Sequence, residues 1–359
     1  MRAFSRRVKD RRIPLNGSLE LTQRCNLRCV HCYCDGHNAP SCGSGQREEM
    51  PTEEALRLLD EIAEAGCLFL VLTGGEPLLR SDFATIYRYA KEKGFMITVF
   101  SNATLIDETV LDLFRELPPH AVDISLYAAT AETYERITGA KRSFQRCMDG
   151  IARLRDAGIR YRMKTVLMTL NQHEFADMEA IAERNEVPFR VDCAINPRLD
   201  GDRSPLGLRV APEQAVELEL VSEARHASWN EWHEKSIPLA SQGKLYNCGG
   251  GVSGFHIDAY GWLLPCVIGT AFKYDLRTGP FDKGWDRMGS WIAKKTVPED
   301  HKCNHCDKRL FCTWCPAFSE LENVDASAPC EYLCLLAAAR KNRIVDNNAG
   351  SEVAKGAVT

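Results

Sequence analysis

No stretch of this chain approaches the roughly 20 consecutive apolar residues of a membrane-spanning helix. The opening residues lack an apolar run as well. Met1–Arg12 carries Arg2, Arg6, Arg7, Lys9, Arg11 and Arg12 with no hydrophobic core between them, which excludes a secretory signal. Positive charge is not in excess: a net charge of −4 and a pI near 6.2 leave no electrostatic footprint for nucleic acid. The basic arm by itself reads as a solvated tail. These absences point to a cytoplasmic globular protein with neither a membrane nor nucleic acid among its partners. At 359 residues, 45% hydrophobic and 26% charged, the chain can bury a core for two domains, or for one large domain with an appendage.

Cysteine is what the chain has in plenty. Sixteen thiols in a sequence without an export signal read as metal ligands, because the cytosol keeps cysteines reduced. Their placement agrees. Cys25, Cys29, Cys32, Cys34 and Cys42 lie near the start. Cys248, Cys266, Cys303, Cys306, Cys312, Cys315, Cys330 and Cys334 crowd the last third. Cys67, Cys147 and Cys193 stand alone and read as small buried hydrophobes.

The first group sits in Leu21–Tyr33 with C-x3-C-x2-C spacing. Three thiols on one tight loop can grip a single inorganic object. A 4Fe–4S cube normally takes four thiolates, so three leave one iron open. A zinc knuckle is the other reading, with Cys34 or His31 as the fourth ligand.

Beyond the loop, short apolar strands alternate with helices. Strands are expected over 18–23, 68–72, 96–100, 121–126, 161–168 and 189–193. Between them Thr52 is expected to cap a helix. Six such units with right-handed crossovers make an incomplete (β/α) barrel, whose active residues gather where strands end. Motifs stand at those ends. Thr73-Gly74-Gly75-Glu76-Pro77 follows the second strand, where two glycines let backbone approach a ligand closely. Ser101 and Asn102 follow the third, and Ser125 ends the fourth. Asp192, Asn196, Arg198 and Asp200, around strand six, are candidates for substrate contact, or form a loop with a structural ion pair. Farther on, Phe255–Cys266 alternates about a Gly-bearing turn and reads as a hairpin. The pairs Cys303-x2-Cys306 and Cys312-x2-Cys315 would in isolation suit a zinc ribbon.

Cys25-x3-Cys29-x-His31-Cys32 resembles the signature of the radical SAM superfamily, with His31 in its aromatic slot and Tyr33 beside it. The resemblance implies that Cys25, Cys29 and Cys32 hold a 4Fe–4S cluster. Its open iron would chelate S-adenosylmethionine, and one electron would release a 5′-deoxyadenosyl radical. Gly74, Gly75, Glu76 and Pro77 resemble the segment that meets the methionine amino group. Asn102 and Ser125 fall where the family contacts the ribose. Arg136 resembles the arginine that pairs with the cofactor carboxylate, as a guanidinium can do with two parallel bonds.

Cys248-x12-Gly261-x4-Cys266 resembles the start of the SPASM extension of these enzymes. The second block departs from its pattern, with two residues instead of three between Cys312 and Cys315. Carried over, Cys248, Cys266 and Cys315 would hold one auxiliary cluster. Cys303, Cys306, Cys312 and Cys330 would hold the other, with Cys334 competing for the last place.

The implied organisation is a basic arm (1–15), a partial (β/α)6 barrel (16–212), a helical linker (213–240), a SPASM domain (241–340) and a disordered tail (341–359). The implied activity is hydrogen abstraction, foremost in maturation of a ribosomally made peptide. The alternatives are radical chemistry on a small molecule, such as a sugar or antibiotic precursor, and sulfatase-type maturation. A reductant such as flavodoxin or ferredoxin is expected. With the cysteines beginning at residue 25, a leader peptide would need a separate recognition protein.

Overall fold

The computed structural model describes residues 7–34, 47–236 and 243–355; Cys42 lies outside them. Among the described residues nine strands form one sheet, ordered β6-β5-β4-β3-β2-β1-β7-β8-β9. The first six are the expected ones: β1 Asn16–Glu20, β2 Phe69–Thr73, β3 Met96–Ser101, β4 Ala121–Ser125, β5 Tyr161–Val166 and β6 Phe189–Asp192. Each pairs in parallel with its successor, which is the partial barrel expected from the alternating pattern.

The helices explain the parallel order, since each must return the chain to the same end of the sheet. Residues 7–10 form a first turn, α1. Next come α2 Thr52–Glu64, α3 Phe83–Glu92, α4 Glu108–Glu116, α5 Ala131–Thr138, α6 Ser143–Asp156 and α7 Phe175–Arg184. Their apolar stripes, such as Ala55, Leu58, Leu59 and Ile62 of α2, join Leu19, Leu70, Leu72, Ile97 and Val99 of the strands in one core. Starts and stops follow local chemistry. Asp107 accepts from the Val110 amide ahead of α4, and Gly139 closes α5 in the left-handed region at φ +63°. Thr52 does not cap α2. It is the helix's first residue, and its hydroxyl donates to Asp82 at 2.6 Å.

The hairpin forms as β7 Gly254–Ile257 and β8 Trp262–Leu264, followed by β9 Tyr274–Asp275. Its first strand also pairs in parallel with β1, Ser18 opposite His256 and Leu19 opposite Ile257. The C-terminal region therefore extends the barrel sheet. Around it lie α8 Pro212–Leu220, α9 Glu223–Ser236, α10 Phe281–Ala293, α11 Pro316–Asn323 and α12 Glu331–Lys355.

Two expectations change. The arm is not a solvated tail where it is described: Val8 is buried, and Arg12 donates to the carbonyls of Trp285 (2.8 Å) and Gly251 (3.2 Å). The segment after Arg340 is helical to Lys355, because Arg340 is buried against Glu219 (2.8 and 3.2 Å) and Ile344 is buried. No helix among the described residues is long and apolar enough to cross a membrane.

Candidate active site

The cysteine loop leaves β1 at the end of the sheet where the other strand-end motifs gather. Backbone bonds fix its course. The amides of Gly75 and Glu76 donate to the carbonyls of Thr22 (2.7 Å) and Arg24 (2.9 Å). On the far side, the amides of Arg28 and Val30 donate to Thr138 and Ile137 at the end of α5. The glycines are sterically required, since a Cβ on Gly74 or Gly75 would meet a carbonyl oxygen of the loop at 2.4 Å.

The Glu76 carboxylate is fully buried. It accepts from the Ser101 hydroxyl (2.9 Å), the Asn102 amide (2.8 Å) and the Leu78 amide (3.3 Å). Burial raises its pKa to about 7 despite those bonds. The carboxylate thus ties the motif to β3. Asn102 turns to the cysteine loop, donating to Asn26 at 2.9 Å and lying 4.0 Å from the Cys25 sulfur. His31 packs edge-on against Tyr127 at 4.4 Å, and burial, then Arg198, lowers its pKa to about 4. Ser125 is half-buried at the end of β4, beside Tyr127. Arg136 is exposed on α5 and has no partner among the described residues. Pro77 is buried.

Cys25 and Cys29 are pushed upward by burial first, Cys25 to about 11. Charge on their neighbours, Cys32 for both, adds to the shift. Thiols so placed ionise only when a strong local positive charge compensates them. The all-sulfur donor set therefore fits an iron–sulfur cluster. Among the described residues no three His, Cys, Asp or Glu side chains converge on a position for a single metal ion.

The C-terminal cysteines fall into two sets. Cys266, at about 11, is raised by burial and then by Cys315 and Cys248. Cys312, also at about 11, is raised by burial and then by Cys334, Cys303 and Cys306. Cys330 stands apart from both: it is fully buried, and its thiol donates to Glu322 at 3.2 Å. That carboxylate is also engaged by Arg209. Cys334 is therefore a neighbour of the second set, while the Cys330 thiol meets Glu322.

The candidates after β6 are bound up locally. Arg198 pairs with Asp202 at 3.1 Å, and Asp192, Asn196 and Asp200 bond to backbone within two residues of themselves. This is the structural ion pair of the two readings.

Three features escaped the sequence. Glu49 accepts from the Thr22 hydroxyl (2.7 Å) and the Gln23 amide (2.9 Å), anchoring the start of the cysteine loop. Arg80 is buried and donates to the carbonyls of Leu21 (2.7 Å) and Met50 (2.9 Å). Glu20 and Asp258 line one small cleft that opens to solvent, with Tyr33, His256, Val267 and Lys273 in its walls. Burial, then the charge of Asp258, raises Glu20 to about 8, and burial raises Asp258 to about 6. The signal for Glu20 was an acid inside an apolar strand.

Residues 19–184 match the Radical SAM superfamily. The AdoMet-dependent heme synthase of Methanosarcina barkeri is 28% identical over 83% of this chain and 90% of its own length. The mycofactocin maturase MftC of Mycobacterium ulcerans is 27% identical over 82% of this chain and 80% of its own. Streptococcus suis SuiB shares the fold at 15% identity. Bound to S-adenosylmethionine it gives a TM-score of 0.67, covering 92% of this chain and 78% of SuiB. Bound to precursor peptide SuiA it gives 0.68, covering 91% and 77%.

Proposed function

We propose, from the premise that the chain belongs to the radical SAM superfamily, that it is a maturase acting on a side chain of a ribosomally made peptide. The family uses a 4Fe–4S cluster and S-adenosylmethionine, which when bound supply radical hydrogen abstraction. The protein's own residues have distinct tasks. Cys25, Cys29 and Cys32 hold the cluster. The loop pinned by Thr22, Arg24 and Glu49 keeps backbone groups of Gly74 and Gly75 beside it for the methionine end of the cofactor. Arg136, with no partner among the described residues, takes the carboxylate. Ser125 and Asn102 flank the ribose, Asn102 through its hold on the loop. Cys248, Cys266 and Cys315 carry one auxiliary cluster; Cys303, Cys306, Cys312 and Cys334 carry the other.

The observation that carries the peptide reading is the likeness, over 82% of this chain, to a peptide maturase, MftC of Mycobacterium ulcerans. A tetrapyrrole is the second reading, favoured by the name of the Methanosarcina relative over nearly that protein's whole length. A flavodoxin- or ferredoxin-type reductant and a separate leader-recognition protein complete the proposal.

The test is anaerobic reconstitution followed by reduction with dithionite. Wild type should form 5′-deoxyadenosine, and Cys29→Ala should reduce this at least a hundredfold, about 2.7 kcal/mol or more in barrel-site function, because two thiolates do not hold the cube. Undiminished cleavage by that variant would sink the assignment. Turnover of an iron tetrapyrrole, with no turnover of any candidate peptide, would favour the second reading.

A further inference from the structure

We propose that Glu20 and Asp258 form a subsite that receives a protonated nitrogen of the substrate, the ammonium or guanidinium of a lysine, an arginine or a peptide N-terminus. This rests on, and deepens, the peptide reading. The register brings the two acids together: Ser18 opposes His256 and Leu19 opposes Ile257, so Glu20 and Asp258 are the next pair along β1 and beyond β7. Side chains alternate between faces of a strand, so Ser18, Glu20, His256 and Asp258 share one face, and Leu19 and Ile257 go to the core on the other.

The acids are unequally satisfied. One Asp258 oxygen accepts from the amides of Tyr260 and Trp262, both at 2.9 Å, and Lys273 and Arg47 lend Asp258 positive charge. Glu20 has long bonds to one oxygen only, from the Gln23 side chain (3.4 Å) and the Ala259 amide (3.3 Å). Its other oxygen is buried without a hydrogen-bond partner, and the residue lines the cleft. A buried carboxylate oxygen with no donor is costly, and a cation entering beside it supplies both donor and counter-charge. Burial, then the charge of Asp258, raises the pKa of Glu20. Tyr33, next to Cys32 in sequence, and Val267, next to Cys266, line the same cleft.

The test is calorimetric titration of the anaerobically reconstituted full chain with n-butylammonium, methylguanidinium, n-butanol and butyrate. Iron content and melting temperature serve as integrity controls. The two cations should bind saturably, and butanol and butyrate should not. Glu20→Gln should weaken cation binding at least tenfold. Asp258→Asn should weaken it less, because Lys273 and Arg47 already offset that charge. Absent saturable cation binding, equal binding by wild type and Glu20→Gln, or preference for butyrate each overturns the subsite. If Glu20→Gln fails to fold, the selectivity of wild type and the Asp258→Asn titration still decide. These titrations need no turnover, so flat isotherms beside intact S-adenosylmethionine cleavage refute the subsite alone. Absent cleavage beside selective isotherms refutes the radical SAM reading alone.

Discussion

Cys330 and Cys334 are four residues apart at the start of α12, yet their surroundings differ, and the proposed ligand set takes only Cys334. Cys334 lies where Cys303, Cys306 and Cys312 act on one another's charge, and Cys330 is fully buried against Glu322. The three proposed clusters correspond to about twelve irons in wild type. Cys334→Ala should lose up to about four of them, with loss of auxiliary-cluster signals in electron paramagnetic resonance. Cys330→Ala should keep all the iron and lower the melting temperature instead, since it removes a buried thiol and its bond to Glu322. Equal iron loss in both variants would refute the division, and so would loss in Cys330→Ala alone. The C-x3-C-x2-C loop and the glycines at 74 and 75 were legible in the sequence because their spacing is a local signal. Cys330 and Cys334 were not separable, because spacing does not say which way a helix turns its thiols. Glu20 was passed over because its partner arrives 238 residues later, through a strand pairing that no local pattern records.

At the scale of elements, the six βα units were legible because alternation and turn residues are local signals. The hairpin of β7 and β8 was legible for the same reason, but the parallel pairing of β7 with β1 is non-local and emerged only in the fold. It carries a buried histidine with it. His256 shares a 2.8 Å hydrogen bond with Ser18, and burial lowers its pKa to about 4. An unfolded histidine titrates near 6.5. The native state therefore binds fewer protons than the unfolded state between these values. The stabilising contribution is full above about pH 6.5 and is lost as pH falls towards about 4. From about pH 7 to about pH 5 wild type should lose about 2 kcal/mol through this group. His256→Gln removes that titration, so its denaturant midpoint should approach that of wild type as pH falls. Parallel profiles for the two proteins would show that His256 is not held neutral.

Across the whole molecule, barrel and cysteine-rich region are joined at widely separated points. Arg277 of the latter bonds Glu54 of α2 at 2.9 and 2.8 Å, and Arg209 engages Glu322 of α11. The N-terminal arm makes a third joint. Arg12 lies 4.9 Å over the Trp285 ring, donates to two carbonyls of the cysteine-rich region, and accepts from the Trp285 indole at 2.7 Å through its own carbonyl. Loss of a partly exposed guanidinium in that position should cost about 1–2 kcal/mol. Gly289 of α10 gives this joint a sharper test. A Cβ there would lie 1.9 Å from the guanidinium carbon, so Gly289→Ala must push Arg12 out and should destabilise wild type. In an Arg12→Ala background the clash is gone, and only the gain from replacing a helical glycine remains, about 0.5–1 kcal/mol. The same substitution should therefore change sign between the two backgrounds. Denaturation midpoints of the four proteins in a double-mutant cycle measure this directly. Additive effects would mean that the arm does not occupy α10 in solution. A sign reversal would establish that the first described residues of the chain help to hold its C-terminal cysteine-rich region in place.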